Sequence, residues 1–193
     1  MFKSILNPAV LTCLLFQFVV INAHAQSVTI IGDSEDAQEC YFSAQLAVQM
    51  QSASRAEVSA CTRALMNGNL RLRDKAATFI NRGILYVAIE EYKMAIDDYE
   101  RAEKLYPEFG AIHVNRGNLF FLGESYDNAI QEYNKALDMD LNQTYVAHLN
   151  RGMAYEKLGK FHEAEADYRE AIDQAPQWQT PKDKLERVLG KIN

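Results

Sequence analysis

Small and aromatic residues return along this chain with one fixed rhythm. Gly83 is followed by Tyr86, Tyr92, Ala95, Tyr99 and Ala102. Gly117 is followed by Phe120, Tyr126, Ala129, Tyr133 and Ala136, and Gly152 by Tyr155, Phe161, Ala164, Tyr168 and Ala171. The offsets from each glycine are three, nine, twelve, sixteen and nineteen, and the glycines lie 34 and 35 residues apart. Offsets of three, sixteen and nineteen put side chains on the matching faces of two helices joined by a short turn. Glycine and alanine let such helices approach closely, and the aromatic rings fill the spaces between them. The pattern predicts three helix pairs, at 76–109, 110–144 and 145–178.

A 34-residue helix–turn–helix period with these positions resembles the tetratricopeptide repeat (TPR). The resemblance spans residues 76–176, about 100 residues, and three copies share every position named above. Departures are small. Leu141 stands where the other copies carry Pro107 and Pro176, and one residue is inserted near 142–144. The bulky aromatic near the start of the first helix is Phe79 in one copy, but His113 and His148 in the others. The resemblance implies an all-α, right-handed helical solenoid of eight or nine helices that binds protein.

The flanks fit that plan. Residues 35–75 read as a degenerate helix pair, 37–50 and 56–66, turning near 51–54 and stopping at Gly68. Residues 179–193 read as a capping helix: Thr180-Pro181 opens it, and Leu185, Val188, Leu189 and Ile192 form its apolar stripe. Residues 26–34 have no evident partner and are expected to be a flexible or weakly extended lead-in. Residues 1–25 form a different kind of segment. Lys3 precedes an apolar core over 9–21, and Ala23-His24-Ala25 matches a cleavage site. That is a secretory signal peptide cut after Ala25. Its 13-residue apolar run is short of the ~20 residues that span a bilayer.

Composition narrows function. The formal charge is −6, and no Lys/Arg cluster points to nucleic acid. Losing the leader leaves 19 basic and 26 acidic residues and two cysteines, Cys40 and Cys61. Cys40 lies about twelve residues before the predicted turn and Cys61 about nine after it, so the two stand at similar heights. They are expected to form a disulfide. Asn142-Gln143-Thr144 matches a glycosylation acceptor, relevant only in a eukaryote.

Charges repeat as well. Arg82, Arg116 and Arg151 are each followed sixteen residues later by an acid: Asp98, Glu132 and Asp167. The spacing predicts structural ion pairs between the two helices of a unit. Asn81, Asn115 and Asn150 precede the arginines. The resemblance places them on the concave face, where a carboxamide can bond an extended peptide's main chain; pairing with an adjacent helix is the equal alternative.

Helical spacing adds Ile80, Ile84, Val87, Val114, Asn118, Phe121, Leu122, Leu149 and Met153 to this groove, with Val146, Glu156 and Lys157 in the third unit. So apolar a face, read as exposed, is expected to bind a partner, or to be filled by the chain itself. Relatives that clamp a terminal carboxylate use Lys, Arg and Asn. The corresponding places here are Ile80, Ile84, Asn115, Val146 and Asn150, and only Asn115 fits, so that clamp is not expected.

No phosphate loop, nucleophile elbow or metal motif is present in the sequence. No catalytic residue, metal or cofactor is expected. The sequence therefore reads as an exported protein–protein adaptor, periplasmic in a Gram-negative cell, holding a peptide or partner helix. Self-association into a structural assembly is the alternative, and an enzyme is the remote third.

Overall fold

A computed structural model describes residues 25–30, 34–67, 69–139 and 143–192. The leader's charged and apolar regions, Gly68, Leu141 and Asn142 fall outside the described residues. Among those described there are nine helices and no strand: α1 (Glu35–Met50), α2 (Arg55–Asn67), α3 (Leu72–Ala88), α4 (Tyr92–Leu105), α5 (Gly110–Leu122), α6 (Tyr126–Leu137), α7 (Thr144–Lys157), α8 (Phe161–Gln174) and α9 (Gln179–Ile192).

Each helix packs on the next in sequence. The pairs α1/α3, α3/α5 and α5/α7 also touch, one unit apart. The result is a solenoid stabilised by nearest neighbours. Its repeating core is the meeting of a glycine with a tyrosine. Tyr99, Tyr133 and Tyr168 are all but fully buried. A Cβ added at Gly83, Gly117 or Gly152 would lie 2.4, 2.5 or 2.7 Å from the ring sixteen residues on. Only a residue without a side chain lets the two helices of a unit close on that ring. The alanines at offsets twelve and nineteen are equally buried and complete the seam.

The turns inside the units are also equivalent. Glu90, Glu124 and Gly159 take the left-handed conformation, with φ of 63°, 57° and 73°. In each turn the following residue's N–H reaches back to the carbonyl of Tyr86, Phe120 or Tyr155, at 2.8, 2.8 and 2.9 Å. This is the Schellman ending of a helix, which satisfies carbonyls that would otherwise be left over. Two of the three positions carry glutamate where glycine is the comfortable choice.

The ends are fastened differently. The Ser34 hydroxyl accepts from the Ala37 N–H, and Glu35 and Asp36 follow in the first turn of α1. A Cys40–Cys61 disulfide joins α1 to α2, with the Cα atoms 4.7 Å apart. At the other end, Val188 of α9 is fully buried, and Leu185 and Ile192 pack beside it.

Candidate peptide-binding groove

Residues 25–30 lie across the first helices of two units. Gln26, Val28 and Ile30 are buried, while Ser27 is half-buried and Thr29 exposed. That period-two alternation is the signature of a strand laid on an apolar surface. Val28 and Ile30 belong to the same buried cluster as Ala77, Ile80 and Ile84.

Asparagines from equivalent positions of α3 and α5 hold the segment. The Val28 N–H donates to Asn81 Oδ1 at 2.8 Å, and Asn81 Nδ2 donates to the Val28 carbonyl at 2.8 Å. The Gln26 N–H donates to Asn115 Oδ1, and Asn115 Nδ2 to the Gln26 carbonyl, both at 2.9 Å. Each carboxamide thus supplies one acceptor and two donor sites, and uses one of each on a single peptide residue. The pairing imitates a rung between two strands. One step of two residues along the segment matches one step of a unit along the solenoid. Both asparagines are buried, so the clasp also satisfies polar groups that would be costly to leave bare. Arg73 Nη1 donates to the Thr29 carbonyl at 3.2 Å, and Gln26 Nε2 to the Gln143 carbonyl at 2.8 Å.

The third asparagine bonds a neighbouring helix. Asn150 Nδ2 donates to Asn118 Oδ1 at 2.9 Å, and the Tyr133 hydroxyl donates to the same oxygen at 2.8 Å. Asn81 and Asn115 thus clasp the chain's own main chain, and Asn150 bonds across to the helix of the preceding unit. Ala25 also borders a cavity of about 500 Å³. Val48, Tyr145, Val146, Pro176 and Trp178 form most of its wall. Tyr145 and Trp178 meet edge-on, with ring centroids 5.4 Å apart.

Several groove positions differ from the exposed face read from the sequence. Ile80, Val114 and Leu149 are fully buried, and Ile84, Phe121 and Met153 nearly so, while Val87 and Leu122 are half-buried. In the first unit the covering layer includes the chain's own 25–30 segment. In the third, Leu149 and Met153 share a cluster with Val188 of α9. Glu156 faces α9 rather than a groove. Its carboxylate takes Arg187 Nε and Nη2 at 3.0 and 2.6 Å, Lys191 Nζ at 3.0 Å and the Tyr168 hydroxyl at 3.0 Å. Burial works against its charge, but Arg187, Lys191 and Tyr168 outweigh it and hold its pKa down at about 2.

The three arginines meet the acids sixteen residues on. Arg82 grips Asp98 with two bonds of 2.7 and 2.8 Å, and Arg151 grips Asp167 with two of 2.8 and 2.7 Å. Arg116 divides itself between Glu132 and Glu103 of the preceding unit, at 2.7 Å each. His113 and His148 turn Nδ1 to Glu132 and Asp167 at 2.9 and 3.0 Å. In both cases the partner sits nineteen residues away on the next helix. Among the described residues no group of three potential metal ligands comes together.

Family models described as the tetratricopeptide repeat match residues 80–144 and 145–177. The chain belongs to the tetratricopeptide repeat family. This TPR protein is similar to the TPR domain of Arabidopsis OM64, at 26% identity over 63% of this chain and 99% of that one, with a TM-score of 0.58. It is similar in fold to TTC0263, a thermophilic TPR protein in Thermus thermophilus, at 19% identity over 81% and 82% of the two chains, with a TM-score of 0.66. It is also similar in fold to the first TPR of Spaghetti (RPAP3), solved bound to the HSP90 peptide SRMEEVD, at 23% identity over 62% and 94%, with a TM-score of 0.58. No curated protein matches the chain.

The clasp's second half went unseen in the sequence. Asn81, Asn115 and Asn150 recur visibly, but Gln26, Val28 and Ile30 repeat nothing. Their signal was the short alternation ending in Val28-Thr29-Ile30, a β-favouring run that the sequence reading passed over as a lead-in.

Proposed function

We propose that this TPR protein is a protein–protein adaptor that recognises an extended peptide through its main chain. The observation that carries this reading is the double clasp, Asn81 on residue 28 and Asn115 on residue 26. A carboxamide that bonds both N–H and C=O of one residue reads backbone shape rather than side-chain identity, as strand addition does. It is a binding module rather than an enzyme: the groups converging in the groove are neutral amides suited to holding a chain. A terminal-carboxylate ligand, such as the peptide bound to Spaghetti, is disfavoured by Ile80 and Ile84 at the clamp positions.

The protein is further proposed to be exported, with Gln26 as its first residue. The n-region, apolar core and cleavage pattern of residues 1–25 support this, as does the disulfide, which persists in an oxidising compartment. Terminal sequencing of protein from the periplasmic fraction should begin at Gln26; cytoplasmic protein beginning at Met1 refutes export.

The groove reading is tested by affinity capture from the native extract. A partner retained by the wild-type chain should be lost with Asn81→Ala/Asn115→Ala. Equal capture by both places the interface off the groove and sinks the reading. A second reading, self-association, has one observation in its favour. Phe42, Leu46 and Met50 form a stripe along α1 and are 62%, 50% and 65% exposed. Light scattering should then show a mass that rises with concentration and falls back in Leu46→Asp.

A further inference from the structure

α3, α5 and α7 each lie against the unit before. For α3 that contact includes Cys40 Sγ, 3.8 Å from the Thr78 carbonyl, and Arg82 Nη1, which donates to Thr62 Oγ1 at 3.1 Å. α1 begins the row, with no earlier unit to pack on that side among the described residues. The ends of a solenoid call for a polar outer face. α9 provides one, since its exposed residues are Gln179, Asp183, Glu186, Arg187, Gly190 and Lys191. α1 does so only at its start, through Glu35, Gln38 and Glu39. Phe42, Leu46 and Met50 are exposed along the rest, and their spacing of four sets them in one line. Such a line at an open end is a docking face.

Charge selects its occupant. α1 holds no Lys or Arg, and Glu35, Asp36 and Glu39 make its start acidic, which disfavours an anionic membrane surface. A second α1 laid parallel would set acid on acid. Laid antiparallel, it puts the acidic start of each copy beside the end of the other, where α1 has no acid and the exposed Arg55 opens α2. The helix dipoles are then opposed as well. A two-fold axis at Leu46 brings Phe42 of each copy onto Met50 of the other, about 6 Å to either side. A face that fits itself under such a rotation closes a dimer. The exposed parts of the three side chains amount to roughly 300 Å² per copy, well below the ~800 Å² of a standard interface, so the pair is a weak one with Kd on the order of 10 μM.

Resting on the self-association reading above, we propose that the partner at this face is a second copy of the chain, docked through an antiparallel α1–α1 contact with its two-fold axis at Leu46. The grooves stay clear of the contact, since the clasping asparagines lie on α3 and α5. The dimer is then a bivalent adaptor that holds two segments of one partner by avidity.

The test is sedimentation equilibrium of the protein as isolated, from about 1 to 500 μM. The wild-type mass should climb from one chain to two and stop there. Leu46→Asp should weaken the pairing at least about tenfold while keeping the helical circular dichroism, and Phe42→Glu stands in if that signal is lost. Leu46→Cys should cross-link to itself under mild oxidation, because the axis passes through it. Gln38→Cys, about 12 Å from the axis, should not. A wild-type mass that stays at one chain overturns the dimer and the self-association reading together. A mass that rises equally in Leu46→Asp leaves self-association standing and overturns α1 as its site. Cross-linking of Gln38→Cys, or none of Leu46→Cys, overturns the antiparallel axis, and growth past two chains overturns the closed pair. A monomeric wild type that captures another protein, lost with Leu46→Asp, gives the face to a different partner and also overturns the proposal.

Discussion

Gly117 sits under the ring of Tyr133 with no room for a methyl group, since an added Cβ would lie 2.5 Å from ring carbon. Relief requires moving a fully buried tyrosine, and overpacking of this kind costs about 1–3 kcal/mol. Gly117→Ala should lower the urea midpoint accordingly, against the usual rule that alanine improves a helix. Glu124 offers the reverse case. It is held at φ 57° in an exposed turn, where the equivalent residue of the last unit is Gly159. Glu124→Gly should raise stability by about 0.5–1 kcal/mol, read as a higher melting temperature, because the left-handed strain is worth more than glycine's extra freedom. The glycines were legible because three copies repeat them. The roles of the three asparagines were legible only as a pair of alternatives, because repetition places the carboxamides without showing what lies in the groove. Asn81 and Asn115 bond a main chain, and Asn150 bonds Asn118.

At the level of elements, helix pairs stand on ion pairs whose pH behaviour differs between units. Burial disfavours the Glu132 carboxylate, but His113, Lys135 and Arg116 outweigh it and lower its pKa from 4.5 to about 2. A depressed carboxylate contributes stability that is complete above pH 4.5 and is lost as pH falls toward 2. Asp98 has the opposite sign, since burial outweighs Arg82 and raises its pKa. Acid should therefore weaken α5/α6 before α3/α4. Urea melts at pH 5 and pH 3 should show a loss of stability in wild type that is smaller in Glu132→Gln. The disulfide belongs to this scale too. It closes a sequence separation of 21 between the two helices of the degenerate pair. A loop of that length is worth about 3 kcal/mol through the unfolded chain. Reduction by dithiothreitol should lower the melting temperature of wild type and leave Cys40→Ala/Cys61→Ala unmoved. Helices and pairing were readable here because every partner lies within one period. The Arg–acid spacing of sixteen and the cysteine heights are local arithmetic.

Across the whole molecule, locality fails, and contacts far apart in sequence take over. The bond from Gln26 to Asn115 spans 89 residues, and that from Gln26 to Gln143 spans 117. No period connects those positions, so residues 26–34 read from the sequence as a flexible or weakly extended lead-in. Glu156 was likewise placed in the groove because its spacing allowed it; Arg187 and Lys191, on a helix outside the repeats, take it. The long bonds also change what kind of object the solenoid is. A row of units that touch only their neighbours unravels from its ends, unit by unit, with protection against hydrogen exchange that fades toward both termini. Tying the amino-terminal segment to α3, to α5 and to the start of α7 turns the open row into a loop. The first units then lose their native contacts together or not at all, and whatever lifts the segment out also makes the molecule an open row again.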